Sequence, residues 1–537
     1  MKQGRLTYIK NILIPCLLFS VISGFFTGGL IFLFKIATSK VIAYSGVIYS
    51  FVREEPIRLP LLIIGSAILG GLSALLLHLA PNCRGGGIPT SVAILRGLID
   101  FKWTQSVFFI FTSALMTYLC GVPLGNEGPS VQMGTAIGRG TVRLFAKKHR
   151  AWDRYIMTGG ACAGFAAATG APLTGIFFAI EEAHRRLTPM IFMVASMTVA
   201  AGSITMEILC RSSGISSSMF LFSIKEALPL QFFWVSIVIG IICGLCAILF
   251  TKIYRLFGTF MKKYLGKIPF ILQMVCIFLI VALIGFFTAD CIGSGHSLID
   301  EIMEGDAVWY LLLIFLLIRA ILLITANQIG VTGGLFVPTL VFGAIIGALC
   351  SNVCILLDIF PPEYRMVMIV IGMTAFLSAS ARTPITAVIF AVEALCGLSN
   401  VLPIIIGVTF SYIIIETFGE TSFNETVIES QVEKEHEGKI AHFVDAHLTV
   451  QNDAFVVGKD IRDILWPPTC VILSVDKNPS SGHGSMGMTA GDVLHLQYKT
   501  YDPERSKNIL ESLVGSQVDD RKIKMKKDKK HRQIPNF

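Results

Sequence analysis

Charge is scarce in this chain: Asp, Glu, Lys and Arg make up 15% of its 537 residues, against 53% that are hydrophobic. So little charge cannot coat ordinary globular domains, which excludes a soluble protein of this length and leaves lipid as the solvent. Catalytic signatures are missing as well. No His-Glu-x-x-His, no Gly-x-Ser-x-Gly and no helix of paired aspartates occurs, so a membrane-embedded hydrolase, the remotest function weighed, has no chemistry to work with. Cysteine itself is not short, but clustered cysteine is. Most of the 13 thiols are spread singly through apolar segments, and the close pair worth testing, Cys243 and Cys246, sits in an unbroken apolar run without histidine partners. They read as small hydrophobic side chains in a reducing setting, not as metal ligands or a disulfide framework. We expect no cofactor, no metal and no nucleic-acid partner.

What the sequence has in quantity is apolar length. Runs near the roughly 20 residues that a spanning helix needs recur at 12–37, 61–79, 232–250, 270–288, 310–326 and 401–415. Between them lie shorter apolar pieces punctuated by Gly and Pro, too short to cross alone and expected to be half-helices buried in protein. The first run follows Lys2, Arg5 and Lys10. It is about twice the length of a signal-peptide core and lacks a clean cleavage site, which makes it a retained span with a cytoplasmic basic flank.

The chain also repeats itself. The stretch from Gly164 through Pro172 to Glu181 matches that from Ala375 through Pro384 to Glu393 with a one-residue gap, and upstream Pro129-Ser-Val-Gln-Met-Gly134 matches Pro338-Thr-Leu-Val-Phe-Gly343. Weak internal symmetry with interrupted helices at corresponding positions points to a transporter whose binding site lies between the repeats. The halves are expected at 61–209 and 272–415, joined through the helix around 232–250.

Three loops place glycine just before a proline able to open a helix: Gly85-Gly86-Gly87-Ile88-Pro89, Gly125-Asn126-Glu127-Gly128-Pro129 and Gly333-Gly334-Leu335-Phe336-Val337-Pro338. Proline suits a first helical turn, where its missing N–H has no partner to lose, and glycine lets backbone N–H groups turn toward a ligand. Convergent helix N-termini bind an anion through free N–H groups and about half a positive charge each, with no fixed cation in the membrane. Any one loop alone reads equally as an ordinary break at a helix junction. The first is not a nucleotide cradle, because it lacks the Lys-Ser/Thr ending.

In order and spacing these loops resemble the Gly-Ser-Gly-Ile-Pro, Gly-Arg-Glu-Gly-Pro and Gly-x-Phe-x-Pro patterns of the CLC family of chloride channels and chloride/proton exchangers. The resemblance covers roughly residues 10–430. It implies an all-α polytopic fold with inverted repeats and broken helices, a homodimer, and one complete anion pathway per subunit. By the same resemblance Glu127 is the external gate, a tethered competitor of the anion when ionised, and Glu182 is the internal proton-transfer glutamate, where pure channels carry an apolar residue. Without the resemblance, Glu181 and Glu182 read as a helix end paired with Arg185 and Arg186 at three- and four-residue spacing.

The family pattern places anion contacts at Gly86, Gly128, Leu335, Phe336, Val337 and Phe423. Three positions depart from it: Gly86 replaces a serine, Phe423 aligns with a tyrosine, and Asn126 replaces an arginine. Each lost hydroxyl removes a hydrogen bond of roughly 0.5–1.5 kcal/mol, leaving the backbone N–H groups of Leu335 and Phe336 to hold the ion largely alone. The expected function is chloride/proton antiport across the plasma membrane, with both termini cytoplasmic. A passive chloride channel and an exchanger preferring nitrate or fluoride are the alternatives.

After Glu429 the composition turns polar. We expect a membrane domain at 1–430, a linker at 431–440, a small α/β domain at 441–515 and a basic tail at 516–537. The domain has strands near 448–450, 470–475 and 493–498 and helices near 460–465 and 503–513. The run from Val457 to Trp466 and the later Thr489-Ala-Gly-Asp-Val-Leu494 resemble the TrkA-C domain of potassium channels and transporters, which implies a regulatory role and a possible small ligand. The tail, with Arg521, Lys522, Lys524, Lys526, Lys527, Lys529, Lys530 and Arg532, reads as solvated or as drawn to anionic lipid.

Overall fold

The structure is a computed structural model that describes residues 12–85, 87–145, 150–220, 222, 224, 226–305, 308–452, 454–475 and 484–515, and the backbone of 524–527. Among the described residues, nine helices are long and apolar enough to cross a membrane. The long expected runs all lie in such helices, and Ile14–Glu54, at 41 residues, extends well past the expected end. Some of the Gly/Pro-punctuated pieces are longer than expected: Glu127–Phe145 and Phe336–Leu356 have 19 and 21 residues. The truly short helices are Ile88–Leu95, Pro172–Phe178, His296–Glu304 and Pro384–Phe390.

The repeat is visible element by element. Helices start at 153, 172 and 189 in the first half and at 365, 384 and 401 in the second, a constant offset. The one-residue gap expected from the sequence is therefore absent, and Gly164 corresponds to Phe376. Gly170 and Arg382 occupy the same left-handed cap position, at φ 70° and 58°, directly after helices ending at Thr169 and Ala381. A non-glycine residue there is strained by roughly 1–2 kcal/mol, and the Arg382 guanidinium is held by the carbonyl of Glu420 at 2.8 Å.

Helix crossings repeat as well. Gly134 and Gly160 face each other's carbonyls so closely that a Cβ on either would collide with the other's oxygen, and Gly343 and Gly372 do the same in the second half. Gly24 and Gly28 abut Thr198 and Gly202 in one half, as Gly240 and Gly244 abut Gly407 and Ser411 in the other. Small residues let backbones approach where lipid supplies no hydrophobic drive between helices. This pairing also corrects the expected layout: Trp234–Tyr264 does not join the halves but opens the second one, packing on Arg365–Ala381 and Val401–Phe418 as Ile14–Glu54 packs on Asp153–Thr169 and Pro189–Ser213.

Helix Phe423–His436 runs through most of the expected linker. Beyond it, β1 (His442–Thr449), β2 (Val471–Val475), β3 (Val493–Thr500) and β4 (Lys524–Lys527) form one antiparallel sheet in the order β2-β3-β1-β4. Residues 524–527 thus add an edge strand where a solvated tail was expected; the remaining tail residues lie outside those described. The expected helix at 460–465 is only a short 3₁₀ turn, Ile461–Asp463. Helix Pro503–Val514 contributes Leu510, Leu513 and Val514 to a core shared with Val444, Ala446, Leu448, Leu494 and Leu496.

This unit is tied to the membrane region by polar contacts. Arg154 donates to the carbonyls of Leu465 (3.0 Å) and Trp466 (2.7 Å), Arg186 to that of Ile464 (3.0 Å), and Tyr155 Oη both donates to Asp463 O and accepts from Leu465 N, each at 3.0 Å. Phe455 packs edge-on against Trp152, with ring centroids 5.4 Å apart.

Candidate anion pathway

Each of the three loops ends in a helix start with proline in its first turn: Ile88–Leu95, Glu127–Phe145 and Phe336–Leu356. The starts meet. A Cβ on Gly128 would lie 2.7 Å from the Cα atoms of both Gly87 and Gly334. Gly125 and Gly334 exchange both backbone hydrogen bonds, at 2.8 and 2.6 Å, one from each repeat. Such contact requires glycine, because any side chain would force the loops apart. Not every N–H there is free, however: Gly87 N donates to Oε1 of the buried Gln132 at 3.1 Å. Gly86 lies outside the described residues.

Glu127 is the first residue of its helix and is 0% exposed. Its carboxylate lies under Gly125 and faces its own N–H and that of Val337, yet neither oxygen closes a hydrogen bond with a described residue. A buried carboxyl without partners is costly, and its position beside helix N-termini is one that favours negative charge.

Next to this junction is a cavity of about 20 Å³, room for one water-sized species. Ile88, Pro89, Leu335 and Phe336 bring the helix starts to it, Phe165 and Phe178 form an apolar wall, and Glu182 and Asn424 are polar members. Phe336 is wedged edge-on between Phe165 and Phe390, at 5.1 and 5.0 Å. The first N–H groups of Phe336–Leu356 have no intrahelical carbonyl to bind, and that of Val337 faces Glu127.

Of the residues named from the sequence, Leu335, Phe336 and Glu182 line this cavity, while Gly128, Val337 and Glu127 belong to the adjoining junction. Phe423 does neither. Its ring is packed among Phe250 and Tyr254, with centroids 4.9 and 5.0 Å away, because an apolar ring gains more from that aromatic cluster than from a polar cavity. Its neighbour Asn424 faces the cavity instead and donates to Glu182 Oε1 at 2.7 Å. Sequence reasoning missed Asn424 and Gln132, since a lone amide carries no pattern.

It also misread Glu181. The helix before it ends in a widened π-turn, Ala179–Ala183, and Arg185 follows at φ 51°, which breaks the expected spacing. Arg185 pairs with Glu425 at 3.0 Å and Arg186 with a backbone carbonyl of the C-terminal unit. Glu181 crosses to the other repeat and accepts from Ile385 N (3.0 Å), Thr386 N (2.7 Å) and Thr386 Oγ1 (2.6 Å). Glu393 returns the same three bonds to Leu173 N, Thr174 N and Thr174 Oγ1 at 2.7, 2.7 and 2.6 Å. Each carboxylate caps a positive helix end in the opposite half. Arg96 closes the π-turn by donating to the carbonyls of Glu182 (2.9 Å) and Ala183 (3.0 Å) and pairing with Glu425 at 2.8 Å.

Interlocked repeats, broken helices meeting at glycine and an ion-sized cavity beside a buried acid define a multi-pass membrane protein of the anion-transport type, not an enzyme. The chain belongs to the voltage-gated chloride channel family, whose model matches residues 65–416. Among solved structures it is similar to a slow cyanobacterial Cl⁻/H⁺ antiporter (22% identity, TM-score 0.72, 78% of this chain and 98% of that one). It is also similar to a eukaryotic CLC transporter (20%, 0.65, 79% and 75%) and to a CLC-type fluoride/proton antiporter (18%, 0.63, 77% and 98%). At these identities the likeness is one of fold.

Proposed function

We propose that the chain exchanges an anion, chloride first, for protons across the plasma membrane as a homodimer, with Glu127 as external gate and Glu182 as internal proton glutamate. The observation that carries this reading is the buried carboxylate of Glu127, without a hydrogen-bond partner among the described residues, where the helix starts converge. Ionised, it competes with the anion for the same N–H groups; protonated, it gives them up. One group then serves both substrates. Glu182, at the cavity and held by Asn424, accepts protons from the side on which Arg186 meets the C-terminal unit, the cytoplasmic side in this reading. Two of the similar solved structures are antiporters of a halide and protons.

The anion is held by the N–H groups of Leu335, Phe336 and the Gly128 turn. With Gly86 in the serine position and Phe423 turned away, backbone donors dominate. Fluoride is the second reading, favoured by Asn126 and Gly86 and by the fluoride-antiporter likeness. The C-terminal unit, TrkA-C-like in its motifs, is a regulatory appendage clamped to helix Asp153–Thr169.

Purified protein in liposomes tests the proposal. An imposed chloride gradient should drive protons uphill, and the reversal potential should depart from the Nernst value of the anion. A current reversing at the anion's Nernst potential alone makes the protein a passive channel. Parallel fluxes of chloride, nitrate and fluoride rank the substrates, and a strong preference for fluoride overturns chloride.

A further inference from the structure

The C-terminal sheet carries a cluster that anion transport does not use. Side chains alternate along a strand, so with Val444, Ala446 and Leu448 of β1 and Leu494 and Leu496 of β3 turned into the core, Asp445, His447, His495 and Gln497 share the outer face. The register sets His447 opposite His495 and Asp445 opposite Gln497. The two imidazoles stack, with centroids 4.2 Å apart and planes 17° from parallel. His495 Nε2 lies 2.8 Å from Asp445 Oδ1, and Gln497 Nε2 donates to Asp445 Oδ2 at 3.0 Å. One donor atom from each of Asp445, His447 and His495 lies within 4.8 Å of the other two.

Two imidazoles and a carboxylate on one strand face make the donor set of a divalent metal ion, which takes neutral imidazole nitrogens and a carboxylate oxygen at about 2.0–2.2 Å. The donors are spaced so that small side-chain rotations close this shell. Gln497 already holds the carboxylate from behind, as outer-shell partners of metal ligands do. Two nitrogen donors exclude hard calcium or magnesium and select the zinc and nickel class.

We propose that Asp445, His447 and His495 form a binding site for a divalent transition-metal ion of the zinc class, with water completing the shell. No local motif announces it. The donors come from strands far apart in sequence and meet only through the β1–β3 register, which is why the sequence led us to expect no metal.

Full-length, tag-free protein in detergent, stripped with a chelator, is titrated with zinc ions by calorimetry and against a chromogenic zinc competitor. We expect uptake of one ion per chain. His447→Asn and His495→Asn should each weaken it at least about tenfold, the scale at which even outer-shell changes act. His442→Asn, on the other face of β1, should leave it unchanged. X-ray absorption on the loaded wild-type protein should show two imidazole nitrogens, a readout that needs no variant to fold. Failure of folded wild-type protein to take up zinc stoichiometrically overturns the site, as does uptake retained by the His447→Asn/His495→Asn double variant or a shell without imidazole.

Discussion

Glu127 and Glu182 differ in what surrounds them, and the difference sets their tests. Glu127 has no hydrogen-bond partner among the described residues, so its amide analogue keeps the shape and removes only the titration. Glu127→Gln should abolish proton movement while anion flux persists without its gate, measured as chloride efflux and proton uptake from the same liposomes. Glu182 accepts from Asn424, and Glu182→Gln should stop proton transfer while chloride still crosses. Proton transport unchanged in Glu182→Gln removes that residue from the pathway. Both glutamates were legible in the sequence because family motifs surround them. Asn424 and Gln132 were not, since each acts through contacts made across the fold, and the ring of Phe423 packs instead with Phe250 and Tyr254.

Helices here are held by shape more than by composition. Gly160→Ala puts a methyl against the Gly134 carbonyl, and Gly372→Ala does the same to Gly343. Overpacking of this kind costs about 1–3 kcal/mol, so both variants should melt at lower temperature than wild type in a detergent thermal-stability assay. Gly29→Ala and Gly65→Ala meet nothing within 4 Å and should be neutral or stabilising by about 0.5–1 kcal/mol, the helix-interior advantage of alanine. Equal melting of all four would show that the crossings do not matter. At this scale the apolar runs located six of the nine long apolar helices described but not Pro189–Ser213, Phe336–Leu356 or Pro362–Ala381, and helix ends were misplaced where tertiary contacts decide them. The repeat was found from proline and glutamate positions, and its spurious gap arose because Arg382 does the work of a glycine. Strand β4 was hidden since a lysine-rich segment has no apolar alternation to betray it; only its pairing with β1 makes it a strand.

Across the whole molecule, two couplings invite measurement. Lys459 lies 3.1 Å from the centroid of the Phe455 ring, donates to the Phe455 carbonyl at 2.6 Å, and is lowered to about 7, chiefly by desolvation and against the pull of Cys16. A lysine whose folded value is depressed binds its proton more weakly folded than unfolded, so stability rises with pH from about 7 toward the free-lysine value near 10.4. The C-terminal unit should therefore resist proteolysis better at pH 9 than at pH 7, and Lys459→Met should flatten that trend; the same slope in both proteins assigns it to other groups. The second coupling is the pair of caps from Glu181 and Glu393. Glu393→Ala leaves two amides and a hydroxyl of the first repeat uncapped and should destabilise the protein by about 1.5–3 kcal/mol, read as a lower melting temperature with the chloride-to-proton ratio unchanged. A normal melt would mean that water replaces the cap without loss. Exchange of caps also bears on biogenesis. As the chain leaves the ribosome, the helix at Pro172 must wait until Glu393 has been made, more than two hundred codons later. The first repeat can be inserted early, yet it is finished only when the second arrives, so truncated products should be recognised by quality control as incomplete halves.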